Sequence, residues 1–288
     1  MPRIVPCDAH VGETSRELFG TSVSLTGLCV DQHAAVFGHG CFQPSQAKAT
    51  YGTGCFLLAN IGTDPTLRAD GLLTVLGWEL AGTTAYLMEG GVYSAGSIVD
   101  WLVDLGMLTT PAQLDEVAGA VDGTDGVCLI PAFSGLAAPH WLSRARACWT
   151  GMNSRTDRRH LVRSAVEAIA FRVREITDAM HRAGVSIDRL KVDGGLTRSR
   201  VLMQLQADTL GLPIDASQSP HVAAIGVGML AGLGAGLWKW PDGLPQVSRT
   251  GVAYAPSLEG VHRSAAQYER WCRVCRQVAE RYGSEGAD

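Results

Sequence analysis

The sequence is short of most features that would assign it at a glance. It lacks a basic excess: 24 Lys and Arg stand against 28 Asp and Glu in 288 residues, a formal net charge of −4. A nucleic-acid partner would normally require a basic face, so none is expected. The N-terminus, MPRIVPCDAHVGE, lacks the apolar core of a signal peptide and the bias of a transit peptide. No heptad or Gly-X-Y period is present, which excludes coiled coil and collagen. Cysteine is too thinly spread for a disulfide framework: the eight residues lie scattered through apolar segments. They read as reduced core thiols of a cytoplasmic protein. The single C-x-x-C, Cys272 and Cys275, has no second pair or nearby His in sequence to complete four zinc ligands, so no metal centre is expected there. Long apolar runs are also missing. Residues 222–238, VAAIGVGMLAGLGAGLW, only reach the lower limit of about 17–25 residues for a membrane span. They are expected to form a buried helix whose glycines allow close packing.

What is present is an ordinary globular composition, 46% hydrophobic and 18% charged, with length enough for a substantial core. Strand-like runs are SVSLTGLCV, AKATYGTGCFLLANI, LLTVLGWEL, TAYLMEG, GVCLIPAF, ACWTGM, RLKVDGG and PIDAS. Helical patterns are DQHAAVFG, AGSIVDWLVDLG, PAQLDEVAGAV, a long one over about 159–183, SRVLMQLQADTLG, the glycine-rich segment and a final RSAAQYERWCRVCRQVAERYG. Strands first, then strand–helix alternation, predict an α/β fold with a mixed sheet flanked by helices. The division expected is an irregular segment over 1–20, one domain over 21–275, and a helix end with a polar tail over 276–288.

Several stretches could carry chemistry. Asp31 closes an apolar run and precedes helix-forming residues, so it is either a ligand-facing carboxylate at a strand end or a helix N-cap. Gly52-Thr53-Gly54 interrupts an apolar run. It is either a hairpin turn or a backbone turn that aims N–H groups and a hydroxyl at phosphate oxygens. A strand ending in Asp193-Gly194-Gly195, then a helix with Ser199 near its first turn, suits a nucleotide lying above a helix N-terminus. It equally suits a loop with a C-cap glycine. Gly96 opens another helix. The loop IPAFSGLAAPHWLSRARACW reads as rigid and packed.

These pieces, in this order, resemble the C-terminal domain of the FGGY family of carbohydrate kinases, most closely its glycerol kinase branch. The resemblance rests on CVDQHAAVFGHGCFQPSQAKATYGTGCFLLANIG, PAFSGLAAPHW, RSAVEAIAFRVREI, VDGGLTRSRVLMQLQADTLGLPI and AAIGVGMLAGLGAGLW. It implies the actin-like, RNase H-like ATPase fold and an ATP-dependent kinase acting on a small polyol or sugar, with ATP/ADP and Mg²⁺. It makes Asp31 the general base for the attacking hydroxyl, Gln32 a holder of substrate hydroxyls and Phe56 an apolar wall beneath them. It assigns nucleotide contacts to Thr53, Gly54, Gly96, Gly194 and Gly195. Two positions depart from the family pattern: Asp100 stands where a Gln near the adenine is usual, and Ser199 where an Asn is usual.

The resemblance also implies a first domain with an Asp-x-Gly-Thr-Thr/Ser phosphate loop. The nearest match, DGTDG at 122–126, lies in a loop before a strand. An N-terminal kinase domain is therefore expected as a partner, and without it an exposed apolar cleft face with self-association into a homo-oligomer. The alternative is a non-catalytic nucleotide-binding remnant.

Overall fold

The computed structural model describes residues 3–67, 70–245 and 251–283. It opens with a two-stranded antiparallel ribbon, β1 (Gly12–Glu13) and β2 (Ser24–Leu25), around a one-turn helix α1 (Arg16–Phe19). The segment expected to be irregular thus carries local structure. The nine-residue strand expected over 22–30 shrinks to β2. Its remainder packs by single contacts instead: the Thr26 hydroxyl donates to the carbonyl of Ala231, and the Leu28 N–H to that of Cys7.

Helix α2 (Asp31–Gly38) leads into the main sheet, which starts with β3 (Ala47–Tyr51), β4 (Cys55–Gly62), β5 (Leu73–Leu80) and β6 (Thr83–Val92). The run 47–61, read from sequence as one strand, is a hairpin turning at Gly52–Gly54. Next come α3 (Gly96–Asp104), a 3-10 turn at Pro111–Gln113, α4 (Leu114–Ala118), the small pair β7 (Cys128–Ile130) and β8 (Cys148–Thr150), and α5 (Arg158–Arg182). The chain continues through β9 (Leu190–Asp193), a 3-10 turn at Gly195–Arg198, α6 (Arg200–Leu210), β10 (Ile214–Ser217) and α7 (Val222–Gly234). It ends in β11 (Gly251–Tyr254), which sequence reading missed, and α8 (Leu258–Gly283). The polar tail expected after α8 lies outside the described residues.

The seven strands run β11-β10-β9-β3-β4-β6-β5. β3, β9 and β10 are parallel, whereas β4, β6 and β5 extend the sheet as antiparallel hairpins and β11 pairs antiparallel at the far edge. Side chains alternate across a strand, so the register assigns each face. Ala47, Ala49 and Tyr51 of β3 align with Leu190 and Val192 of β9 and with Leu57 and Ala59 of β4 in the principal core. Helix α5 covers that face with Val162, Ala165, Val166, Ile169, Val173 and Ile176, a helical spacing, and α6 adds Leu202, Met203 and Leu205.

The opposite face lies under α2 and α7. Toward β4, β5 and β6 it is apolar, with Phe37, Leu58, Trp78, Leu80 and Leu87. Beneath the centre of α2 the same face carries Lys48 and Thr50 beside Lys191 and Asp193. Helix α7 spans 13 residues, about 20 Å at 1.5 Å per residue, against the ~30 Å core of a bilayer. Among the described residues no helix is long and apolar enough to cross a membrane. The glycines of α7 serve packing instead: a Cβ at Gly226 would lie 1.8 Å from the carbonyl oxygen of Ala34 in α2.

Candidate active site

The parallel pairing of β3 with β9 sets the site's geometry. Thr50 lies opposite Asp193, so the turn after β3 (Gly52–Gly54) and the turn after β9 (Gly194–Gly195) leave the sheet side by side. In parallel α/β sheets this end is where ligands bind. The two turns differ in what holds them. Gly194 has φ +99°, and a Cβ there would lie 2.4 Å from the carbonyl oxygen of Tyr51, so only glycine passes this close to β3. At Gly195 a Cβ would meet nothing within 4 Å. The space over Gly195 is open, and its backbone is accessible to a ligand.

The Gly52–Gly54 turn is clamped to the start of α3. The N–H groups of Ala95 and Ser97 donate to the carbonyl of Thr53 at 2.9 and 3.1 Å, and Gly96 N–H donates to that of Gly52 at 2.9 Å. A Cβ at Gly96 would fall 2.6 Å from that Gly52 oxygen, and one at Gly54 would fall 2.4 Å from the carbonyl oxygen of Val92. The structure therefore brings Thr53, Gly54 and Gly96 together in one fixed turn with Thr53 exposed. Asp100, one helical turn beyond Gly96, is exposed on the same face of α3.

Ser199 stands at the start of α6, as expected, and has partners within the protein. It is buried, caps α6 by accepting from Leu202 N–H at 3.1 Å, and donates its hydroxyl to the Asp115 carboxylate of α4. That hydroxyl is engaged inside the protein.

Asp31 is the first residue of α2 and is exposed; its Oδ1 accepts the N–H of Gln32 at 2.7 Å. Phe56 of β4 is half-buried, with its ring edge lying over Gly91 of β6. Glycine at 91 makes room for that ring: a Cβ there would sit 3.1 Å from it.

Behind Asp31 and Gln32 lies a polar layer that sequence reading did not assign. Lys48 is wholly buried and donates from Nζ to Gln32 Oε1 at 2.5 Å and to Thr50 Oγ1 at 2.8 Å. Burial pulls its pKa down to about 8, although Asp193 and Glu89 oppose the shift. Asp193 accepts from His39 Nε2 at 2.6 Å. Burial raises the Asp193 carboxyl, but the His39 hydrogen bond and the Lys48 charge outweigh it and hold the group below the usual carboxylate range. Burial also keeps His39 below its ordinary value, so a neutral imidazole donates to an ionised Asp193. The available signal was the alternation of AKATY, which places Lys48 and Thr50 on one side of a strand.

A second cluster lies away from these turns. His140 Nε2 stands 3.0 Å from Glu175 Oε1 and 3.7 Å from Cys275 Sγ, so the structure supplies the His that sequence spacing did not show beside the C-x-x-C. The other Glu175 oxygen is held by the guanidinium of Arg172, which also donates to the carbonyl of Ala138. The carboxylate's charge is thus matched by arginine. The cluster joins α5, α8 and the loop after β7, as the rigid packing expected of that loop requires.

The profile of the FGGY family of carbohydrate kinases, C-terminal domain, matches residues 47–235. Glycerol kinases of Bordetella parapertussis and Dechloromonas aromatica are 40% and 42% identical, over 97% and 95% of this chain. In each case the match takes in 55% of the relative, so the chain spans about half the length of the curated relatives it matches. The crystal structure of Plasmodium falciparum glycerol kinase with ADP superposes with a TM-score of 0.85 at 30% identity, over 95% of this chain and 55% of that one. Xylulose kinase from Rhodospirillum rubrum superposes at 0.79 with 24% identity, over 97% and 57%, which speaks for the fold alone. The actin-like α/β fold implied by the motifs is the fold observed.

Proposed function

This chain belongs to the FGGY family of carbohydrate kinases, and from that premise we propose that it supplies the C-terminal, nucleotide-binding part of an ATP-dependent polyol kinase of glycerol kinase type. The observation that carries the reading is the juxtaposition of the Gly52–Gly54 and Gly194–Gly195 turns at one end of the sheet, with open space over Gly195. Backbone at Gly195 and the exposed turn at Thr53 and Gly54 fit a phosphate chain, with Gly96 setting the turn and Asp100 beside it. ATP would supply the transferred phosphoryl group, and Mg²⁺ would offset its charge.

The role of Asp31 is to accept the proton of the attacking hydroxyl. Its exposure at the start of α2 leaves the second carboxylate oxygen accessible for this. Gln32 holds a further hydroxyl, and Phe56 offers the apolar floor for the carbon chain. The remaining groups around the transferred phosphate belong to an N-terminal kinase domain, the partner inferred from the half-length match to the relatives.

Calorimetric titration with Mg-ADP, followed by ATP turnover on glycerol and other polyols with and without an N-terminal domain chain, tests this reading. ADP binding, with turnover only in the mixture, is the expected result. Failure to bind ADP overturns it. In whichever preparation turns over, Asp31→Asn should lower kcat by about 10²–10⁴-fold, the range for losing a general base, while leaving ADP affinity within twofold.

A further inference from the structure

A wholly buried lysine that meets only neutral acceptors needs a reason. The two bonds of Lys48 go to an amide and a hydroxyl, while Asp193 and Glu89 act on it as charges from farther away. Burying an ammonium in this way costs several kcal/mol. The neighbours of Lys48 on this face of the sheet include Leu58, directly opposite on β4, so a methionine of similar length would fit without that cost. The charge therefore buries something a packing residue would not supply: three N–H donors and no acceptor. The amide atom facing an ammonium must be oxygen, which removes the usual freedom of a glutamine to present either end. With Oε1 held, the Nε2 group is left as a donor with no partner in the described protein. Thr50, the second acceptor, lies opposite Asp193, the residue before Gly194.

We infer that Lys48 is a positioning residue that locks Gln32 so that its NH₂ group, and not its carbonyl, is presented to the substrate beside the acceptor Asp31. The inference rests on the proposed role of this site in binding a polyol. It assigns the polarity of the pair: a ligand offering only donors or only acceptors leaves one of them unpaired.

The experiment is calorimetric titration of the full chain with glycerol and, separately, Mg-ADP, alongside ¹⁵N spectra of the glutamine side-chain amides. Lys48→Met should weaken glycerol at least tenfold, leave ADP within twofold, and shift or broaden the Gln32 amide pair. Gln32→Ala should show the same loss, with no further loss in the double variant. Gln32→Glu keeps the chain folded whatever Lys48→Met does. It gives Lys48 an ion-pair partner and raises the melting temperature, yet it removes the outward donor and should lose glycerol as Gln32→Ala does. Undiminished glycerol affinity in Lys48→Met or Gln32→Glu overturns the inference. Absence of glycerol binding by the unsubstituted chain, both alone and mixed with an N-terminal domain chain, overturns the polyol reading itself, and the spectra then decide the lysine alone: a Gln32 signal unchanged by Lys48→Met overturns its positioning role.

Discussion

Two adjacent glycines do opposite work. Gly194 is required by the fold, through its positive φ and its contact with β3, whereas Gly195 has ordinary backbone and empty space where a side chain would go. Gly194→Ala should lower stability by about 2 kcal/mol or more, and Gly195→Ala should stay within about 0.5 kcal/mol. If nucleotide lies against that backbone, Gly195→Ala should nonetheless weaken ADP at least fivefold; chemical denaturation and calorimetry on the two variants separate these effects. A second residue-level expectation concerns Cys7, whose carbonyl accepts the N–H of Leu28. The neighbouring Cys29 thiol draws the Cys7 thiol below its usual range against the opposing effect of burial, while Cys29 is pushed above its own. Cys7 should therefore alkylate with a midpoint below the ordinary ~8.5. Cys29→Ser should raise that midpoint, as followed by mass spectrometry. Single residues were the scale at which sequence reading was least complete. Asp31 and the glycine turns stand out because they close or interrupt apolar runs. Lys48, His39 and Asp193 form a unit only after three separate segments meet.

The elements were more legible, because helical spacing is a local property. The limits expected for α2 and for the long helix α5 match the structure at both ends or within one residue. Strand 22–30 is cut short for a physical reason: beyond its two-residue pairing with β1 its apolar residues find no place in the main sheet and stay exposed at Val23, Leu25, Leu28 and Val30. The glycine-rich α7 shows how sharply packing divides residues of one type. Gly226 touches the backbone of α2, whereas Gly228, two residues on, faces open space. Gly226→Ala should destabilise by about 3 kcal/mol or more through overpacking. Gly228→Ala should stabilise by about 0.5–1 kcal/mol through helix propensity. Thermal melts of the two variants should move in opposite directions.

At the scale of the whole molecule, the first 30 residues hold much of the chain's exposed apolar surface. Leu18 is 80% and Phe19 64% accessible, and Ile4, Val23, Leu25, Leu28 and Val30 are also exposed. Apolar area of this kind favours association. Sedimentation of the chain over a range of concentrations should show self-association that Leu18→Asp with Phe19→Asp abolishes, leaving ADP affinity unchanged. A single concentration-independent species would remove that expectation. The parallel contact between β3 and β9 also has a consequence for synthesis. Residues 47–51 emerge from the ribosome about 140 positions before the partner at 190–193, a delay on the order of ten seconds at translation speeds of roughly 5–20 residues per second. During that interval the hairpins β3 to β6 present an unpaired strand edge, so the newborn chain is most vulnerable at the strand that will later carry both Lys48 and the Gly52–Gly54 turn.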